Sequence, residues 1–394
     1  MPGAAAPALV PTSVLPAAPL EPRPRGVYVH VPFCIVRCGY CDFNAYSSME
    51  EVRGPYVEAL LREIAAAADG GRVDTIFVGG GTPTELAPAL LGRILAGLRG
   101  AFAVAPGAEI TVEANPESVD ASVFDTLLAA GVNRVSIGVQ SLTPPVLAAL
   151  GRVHSADRAL EALRAALTAG FRHVNADLIF GTPGEGVEDW QRSLDGVLET
   201  GVDHLSAYAL TVEEGTPLRS WVDSGRMRPP DEDDQADKYE LAEDLLDASG
   251  LVRYEISNWS RPGSWCRHNV GYWAGADYLG FGAGAHSHRN GRRWWNLRSP
   301  RSYAARSPSV EEGSEQLDPG KRAEDAAVLG LRLAGGLDRA VFARAYGCDP
   351  LDRWGGALTE LTAEGLLEIT PTRVRLAPRG FLLAGRVARA LIDG

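Results

Sequence analysis

Short apolar runs alternate along the chain with longer stretches in which apolar residues recur every three or four positions. The short runs are rich in Val and Ile and predict six buried strands: Val27–Val31, Asp74–Val78, Glu109–Glu113, Arg134–Val139, His173–Phe180 and Leu205–Leu210. The longer stretches predict helices near 53–68, 85–99, 118–130, 155–169 and 187–200. Ser118 and Ser155 are the expected N-caps of two of these helices. The alternation predicts an α/β fold with a parallel sheet, either a partial or complete barrel or an open doubly wound sheet.

The pattern changes after Leu210. The acidic run from Asp231 to Asp234 predicts the start of a helix that reaches about Ala248, because carboxylates are stabilised at the positive end of a helix dipole. The C-terminal part predicts further helices near 323–334, 338–346, 350–364 and 378–391, with a short hairpin over 366–377. Helices followed by a small two-stranded wing resemble a winged-helix module.

Composition shifts divide the chain into five parts. The expected parts are a flexible tail over 1–25, a barrel over 26–250, an aromatic and Gly-rich extension over 251–298, a linker over 299–320 and a helical domain over 321–394. The tail is rich in Ala and Pro and lacks the basic start of a signal peptide.

Charge and cysteine content limit the classes of function. The net charge of −12 argues against binding to nucleic acid and against non-specific binding to anionic membranes. No apolar run is long enough to cross a membrane, although peripheral association stays compatible with the sequence. Five cysteines, three of them crowded together, do not form a secreted disulfide framework, and we expect a cytoplasmic protein.

The crowded cysteines are Cys34, Cys38 and Cys41, which form a C-x3-C-x2-C cluster directly after the first predicted strand. They suit a [4Fe–4S] cluster with three protein ligands, whose open iron can chelate S-adenosylmethionine. A structural zinc site is the alternative of another class, and it needs a fourth ligand such as Cys266, His268 or His30.

With Tyr40 before its third cysteine, this spacing resembles the signature of the radical SAM superfamily. The resemblance implies a partial (β/α)6 barrel with the cluster after the first strand. It also implies that an electron donor reduces the cluster, and that S-adenosylmethionine is then cleaved to a 5′-deoxyadenosyl radical.

The run Gly79-Gly80-Gly81-Thr82-Pro83 ends the second predicted strand, and three successive glycines suggest that backbone lies very close to a ligand. The run is not a P-loop, since no Gly-Lys-Ser/Thr sequence ends it. Further polar residues follow the later strands, where α/β barrels bind their ligands. These residues are Glu113, Gln140, Asp177 and, after a helix, Arg152.

From Tyr28 to the C-terminus, including the segment YEISNW, the chain resembles the oxygen-independent coproporphyrinogen III dehydrogenase family of the superfamily. The resemblance implies the positions that contact S-adenosylmethionine. They are Tyr28, Tyr40, Asp42, Gly80, Gly81, Thr82, Glu113, Gln140, Arg152 and Asp177. Arg152 suits the methionine carboxylate through paired hydrogen bonds.

Two departures from the dehydrogenases change the expected function. Those enzymes have a cysteine where this chain has Phe43, and they have a longer N-terminal region over the substrate. Conversely, His268, Asn269, Tyr272 and Trp273 match the HNxxYW motif of the related heme chaperones of the HemW type. This resemblance implies heme as cargo and respiratory proteins as recipients, with coproporphyrinogen III decarboxylation as the alternative.

Heme is a flat apolar ring with two propionates, so an aromatic segment with His and Arg nearby suits it. The conceivable axial ligands in this segment are Cys266, His268, His286 and His288.

Overall fold

The computed structural model describes residues 15–393. Its first six strands are β1 (Arg25–Val31), β2 (Arg72–Gly80), β3 (Ala103–Ala114), β4 (Arg134–Gln140), β5 (His173–Phe180) and β6 (His204–Ala209). The helices between them are α1 (Glu50–Ala66), α2 (Pro88–Ala101), α3 (Ala121–Ala129), α4 (Pro144–Ala149), α5 (Ala156–Ala169) and α6 (Val187–Leu198). The predicted strands and helices are confirmed to within a few residues, except that β3 begins six residues before the predicted Glu109. Helix α4 was not predicted from the periodicity.

The six strands are parallel and lie in the order of the chain, β1 to β6. A doubly wound sheet reverses its strand order at a switch point, whereas this order does not reverse, which selects the partial barrel. The strands are held by a core of branched apolar side chains, with Val27, Val29 and Val31 of β1 fully buried. The prediction of a partial (β/α)6 barrel is confirmed.

Helix caps agree with the sequence at one of the two predicted positions. Ser155 caps α5, and its hydroxyl accepts the N–H of Arg158. Ser118 instead ends a short 3-10 turn, and the N-cap of α3 is Asp120, whose carboxylate accepts the N–H of Val123 at 2.9 Å.

After β6 the sheet continues on both sides of the barrel. The elements are α7 (Pro217–Asp223), α8 (Glu232–Ala248), β7 (Val252–Glu255), β8 (Asn258–Ser260), α9 (Arg267–Trp273), β9 (Asp277–Phe281), β10 (His286–Arg289), β11 (Arg292–Asn296), α10 (Pro300–Arg306) and β12 (Glu311–Gln316). Strand β8 pairs antiparallel with β6, and β9 pairs parallel with β1. The result is one mixed sheet of twelve strands.

Residues 299–320 do not form the expected linker. They contain α10 and β12, and β12 pairs antiparallel with β11 at the edge of the sheet. The sequence of β12, EEGSEQ, has no apolar residue, so its pattern gave no sign of a strand. Backbone pairing and the ion pairs of its Glu311 and Glu315 with Arg292 and Arg293 hold it instead.

The prediction of a flexible tail is also wrong for residues 15–25, the part of the tail that the structure describes. The N–H of Ala18 donates to the carbonyl of Gly336, and the carbonyl of Ala18 accepts the N–H of Asp338, both at 2.8 Å. Ala18 is 2% exposed, so this segment packs on the C-terminal part of the protein. Residues 1–14, the rest of the predicted tail, lie outside the described residues.

The C-terminal part contains α11 (Pro319–Gly330), β13 (Leu337–Asp338), α12 (Arg339–Tyr346), α13 (Pro350–Ala363), β14 (Leu367–Ile369), β15 (Arg373–Leu376), α14 (Pro378–Leu382) and α15 (Ala384–Ile392). The predicted hairpin is confirmed as β14 and β15, which β13 extends to three antiparallel strands. This part packs against the extension, where the guanidinium of Arg332 lies 4.3 Å from the ring centre of Trp273. Among the described helices, none has the length and apolar character to cross a membrane.

Candidate cluster and cofactor site

The three clustered cysteines lie on one loop at the carboxyl end of β1. The loop folds back on itself, because the N–H of Cys34 donates to the carbonyl of Tyr46 and the N–H of Tyr46 donates to the carbonyl of Pro32. Phe33, between them, is buried in the core and anchors the start of the loop. The sequence between Pro32 and Tyr46 is therefore a closed loop that presents its cysteines at the mouth of the barrel.

Two of the three sulfurs accept hydrogen bonds from residues of the barrel. Thr82 Oγ1 lies 3.6 Å from Cys34 Sγ, and Arg152 Nη1 lies 3.4 Å from Cys38 Sγ. Burial raises the pKa of Cys34 to about 11 and also raises the pKa of Cys41. Donors aimed at buried sulfurs suit thiolates that bind metal, since such bonds orient the ligands and tune a cluster.

A structural zinc ion needs several protein ligands that converge on one point. Across residues 15–393, no three His, Cys, Asp or Glu side chains converge as the ligands of one metal ion would. Three cysteines that each bind a different iron of a cluster need not converge in this way. The three cysteine sulfurs are of the donor type that binds a [4Fe–4S] cluster, and the described residues contain no ligand set for a structural zinc site.

The residues proposed to complete a zinc site are occupied elsewhere. The ring nitrogens of His30 lie 2.8 Å from Tyr28 Oη and 3.0 Å from the carbonyl of Asn44. Cys266 is buried, and its Sγ lies 3.4 Å from Glu109 Oε1.

The glycine run approaches the cysteine loop as closely as the sequence suggested. A Cβ on Gly81 would lie 2.7 Å from the carbonyl oxygen of Phe33 and 3.0 Å from Cys34 Sγ. Gly80 has φ of +117°, a conformation that side chains rarely adopt, and its N–H donates to Glu113 Oε2 at 3.0 Å. A side chain at Gly81 would therefore displace the backbone of Phe33, and a side chain at Gly80 would clash with the ring of His30 in a strained backbone conformation.

Asn115 is a site residue that the sequence analysis missed. Its Nδ2 donates to Thr82 Oγ1 at 2.7 Å, and its Oδ1 accepts from Arg152 Nη2 at 2.6 Å. Since Thr82 and Arg152 contact the sulfurs of Cys34 and Cys38, Asn115 connects the supports of two cluster ligands. Its place two residues after Glu113, at the end of a barrel strand, was the available signal.

The two predicted carboxylates at the barrel mouth influence each other. Burial, followed by the negative charge of Asp177, raises the pKa of Glu113 to about 8. Burial also raises the pKa of Asp177, although Ser136 Oγ at 2.7 Å and Asn175 Nδ2 at 2.8 Å donate to its carboxylate. Two partly buried acids of this kind favour a ligand that carries positive charge, such as a sulfonium.

The remaining predicted positions differ in their surroundings. Gln140 ends β4 with φ of +65°, a strained conformation for a residue other than Gly. Tyr40 is partly buried against Val146 and Leu150, whereas Asp42 is exposed on the cysteine loop.

The HNxxYW motif lies on α9, and most of it is part of the core. His268 is 3% exposed; its Nδ1 lies 2.8 Å from Thr75 Oγ1 and its Nε2 lies 2.9 Å from Tyr272 Oη. Burial lowers the pKa of His268 to about 4. Trp273 packs beneath Arg332, and Asn269 is partly buried, so of the motif only Tyr272 reaches the cavity described next.

A cavity of about 590 Å³ lies between the cysteine loop and strands β9 to β11. One side consists of residues predicted to bind S-adenosylmethionine: Tyr28, Gly80 and Glu113. The other side includes Tyr272, Tyr278, His286, Trp295 and Arg298, and Phe43 and Glu312 also line the cavity. Its volume lies in the range of cofactor pockets, and it is continuous with the predicted cofactor site.

Comparisons with known proteins agree with this architecture. The profile of the radical SAM superfamily matches residues 28–196, and that of the HemN C-terminal domain matches residues 317–383. The structure resembles that of coproporphyrinogen III oxidase (HemN) from Escherichia coli with a TM-score of 0.82 and 24% sequence identity, covering 94% of this chain and 90% of that one. Fold and site therefore define a radical SAM protein of the HemN-like kind, and membership of the superfamily implies a [4Fe–4S] cluster and S-adenosylmethionine.

Relatives with similar sequences show to which branch of this family the chain belongs. The chain is 45% identical over 388 residues to the heme chaperone HemW of Mycobacterium tuberculosis, covering 95% of this chain and 96% of the relative. It is 33% identical over 375 residues to the heme chaperone HemW of Bacillus subtilis, covering 93% of this chain and 99% of the relative. The chain belongs to the HemW-type branch of the HemN-like radical SAM family.

Proposed function

We infer that the protein is a heme chaperone that binds heme in the 590 Å³ cavity beside its cysteine loop and transfers it to a recipient protein. The cavity is the observation that carries this inference, because it combines an aromatic lining with one cationic side chain, Arg298. Phe43, Tyr278 and Trp295 offer flat apolar contacts for a porphyrin, and Arg298 offers a positive charge for a propionate.

Cys34, Cys38 and Cys41 are the residues that would hold the [4Fe–4S] cluster, with Thr82 and Arg152 donating to two of the sulfurs. When bound, the cluster supplies one-electron chemistry and an open iron for the amino and carboxylate groups of S-adenosylmethionine. Gly80 and Gly81 give the cosubstrate access to backbone, and Glu113 and Asp177 supply negative charge. An electron donor and a recipient heme protein are the expected partners.

Titration of the anaerobically reconstituted protein with hemin tests the proposal. We expect saturable binding of one heme per chain, and transfer when apo-protein of a heme-dependent respiratory enzyme is added. The same preparation, reduced and given S-adenosylmethionine and coproporphyrinogen III, should not accumulate protoporphyrinogen. Steady accumulation would show a dehydrogenase, and the absence of saturable hemin binding would refute the chaperone.

The cluster is tested separately by replacing its ligands. Cys38→Ser should abolish the iron and sulfide content of the reconstituted protein, whereas Cys348→Ser, a cysteine of the C-terminal part, should leave both unchanged. Retention of iron and sulfide by the Cys38 variant would contradict the ligand assignment.

A further inference from the structure

We propose that His286 is the side chain that binds the iron of heme in the cavity. This assignment rests on the proposed function, since it names the ligand for the cargo at the same site. In this proposal the HNxxYW motif does not supply the ligand. Its His268 is buried in the core, and both of its ring nitrogens are hydrogen-bonded.

The hydrogen bonds of the seven histidines show which of them have a ring nitrogen free to bind iron. An imidazole that binds iron must offer the lone pair of one ring nitrogen. In four of the seven, both ring nitrogens have a partner within 3.2 Å: His30, His154, His204 and His268. His173 is bonded through Nδ1 to Asp203 and lies at the start of β5, at the opposite end of the barrel from the cysteine loop.

The two remaining histidines share one face of strand β10. His288 Nδ1 is directed at the carbonyl of Ala276, at 3.4 Å, and His288 is not among the residues that line the cavity. His286 lines the cavity and is exposed, and within the described part of the chain neither of its ring nitrogens has a hydrogen-bond partner. Of the described histidines, only His286 combines free ring nitrogens with a position in the cavity.

Strand pairing fixes the direction of the His286 ring. The next residue, Ser287, faces the core and its hydroxyl accepts the N–H of Gly280, so His286 faces the cavity by strand alternation. His286 pairs across the hairpin with Trp295, and the two rings are stacked with centroids 5.8 Å apart. Trp295 in turn lies over Gly313 of β12, where a Cβ would come within 2.6 Å of the indole.

The start of β10 is also tied to the cysteine loop. Asn44 Nδ2 donates to the carbonyls of Ala283 at 3.0 Å and Arg298 at 2.9 Å. This contact keeps Phe43 beside the hairpin that carries His286. An iron ligand, a stacked indole and an exposed phenyl ring therefore line one cavity.

Cationic groups are close enough to affect His286. Burial lowers the pKa of His286, and the positive charges of Arg298 and Arg293 lower it further. Of these two groups, Arg298 lines the cavity and is placed to donate to a propionate of a porphyrin whose iron is held by His286, whereas Arg293 is paired with Glu315 and Asp325.

The test compares hemin titrations of the full-length wild-type protein, His286→Ala and His288→Ala. His288→Ala is the matched control, since it removes an imidazole two residues away on the same strand. We expect His286→Ala to lose the Soret spectrum of histidine-ligated heme and to bind hemin at least about tenfold more weakly. Free imidazole should restore the wild-type spectrum of His286→Ala, a rescue that a merely structural defect would not permit. Circular dichroism establishes that the variants fold.

The possible results test the assignment of His286 and the proposed function separately. If the wild type binds hemin and His286→Ala keeps the same spectrum and affinity, His286 is not the ligand while the proposed function stands. Loss of the spectrum in His288→Ala but not in His286→Ala would also overturn the assignment. If the wild type does not bind hemin, the proposed function itself fails. Should His286→Ala not fold, His286→Gln provides the same comparison with a similar side-chain volume.

Discussion

The side-chain oxygen of Asn115 accepts a hydrogen bond of 2.6 Å from Arg152, a residue that also contacts the sulfur of Cys38. The nitrogen of the same amide donates to Thr82, which contacts the sulfur of Cys34. The side-chain amide of Asn115 thus connects Arg152 and Thr82, the two residues that donate to the sulfurs of Cys38 and Cys34. The relationship makes Asn115 a positioning residue for the predicted cluster.

Replacing Asn115 with Ala should loosen the cluster. Arg152 and Thr82 would each lose a hydrogen-bond partner in a partly buried site, at a cost of about 1–3 kcal/mol. We expect the reconstituted variant to release iron to a chelator several-fold faster than the wild type. Asn133→Ala is the control, because that amide bonds only to the backbone of Ala108 and Ile110. Equal rates of iron release in wild type and Asn115→Ala would contradict the positioning role.

The barrel could be predicted from the sequence because its strands are buried on both faces. Strand β5 has the predicted bounds, and five of its eight side chains are apolar. The extension could not be predicted in this way. Its strands have three to six residues, and β12 is an edge strand whose stability comes from backbone pairing and ion pairs.

The candidate site was predicted unevenly for a similar reason. The cysteines and glycines were predicted because their spacing is local, and Glu113 and Asp177 because they lie toward the carboxyl ends of barrel strands. The sequence named His268 among four conceivable heme ligands, and its motif gave no sign that Thr75, 193 positions earlier, would hydrogen-bond its buried ring. Contacts between His286, Trp295 and Gly313 depend on strand register, which no local pattern in these short strands specified.

Glu109 should be essential for stability because it joins the barrel to α9. Its carboxylate pairs with Arg134 at 3.1 Å and accepts the N–H groups of Arg267 and His268, and both charged side chains are almost fully buried. Glu109→Gln leaves Arg134 without its counter-charge, and we expect the free energy of unfolding to fall by about 3 kcal/mol in urea titrations. Glu58→Gln, which breaks an exposed pair with Arg93, should leave the free energy of unfolding nearly unchanged.

The pH dependence of the free energy of unfolding tests the same ion pair between Glu109 and Arg134. Burial alone would raise the pKa of Glu109, but Arg134 and the two N–H donors outweigh burial and lower it. A carboxyl whose pKa is lowered in the folded state stabilises it above the unfolded pKa, and this contribution is lost as the pH falls through the folded pKa. Between neutral and acidic pH, the free energy of unfolding of Glu109→Gln should therefore fall by less than that of the wild type. An identical acid profile would show that Glu109 contributes no charge interaction.

Binding of S-adenosylmethionine should release a proton from Glu113. With its pKa at about 8, Glu113 is mostly protonated at neutral pH, and a cationic ligand favours the charged form. Below about pH 8 the apparent affinity should therefore rise with pH, by up to about tenfold per unit, and level off above it. Calorimetry in two buffers of different ionisation enthalpy measures the released proton directly.

Glu113→Gln should abolish this proton release and flatten the pH profile. Glu117→Gln is the matched control, because the hydrogen bond from His154 lowers the pKa of Glu117 despite burial, so that Glu117 is already charged. Undiminished proton release in Glu113→Gln would assign the titrating group to another residue, with Asp177 the first alternative.

Phe43 should contribute to heme binding through apolar contact. Its ring is 63% exposed beside the cavity, so a porphyrin that covers it would remove apolar surface from water, a gain of about 1.5 kcal/mol. Phe43→Ala should therefore weaken hemin binding about tenfold. Ile392→Ala, at an apolar side chain 51% exposed on the C-terminal helix, should leave the affinity unchanged. Phe43→Cys, which introduces the residue of the dehydrogenases, should weaken binding to the same degree without producing protoporphyrinogen. Wild-type hemin affinity in both Phe43 variants would place the heme away from the cysteine loop.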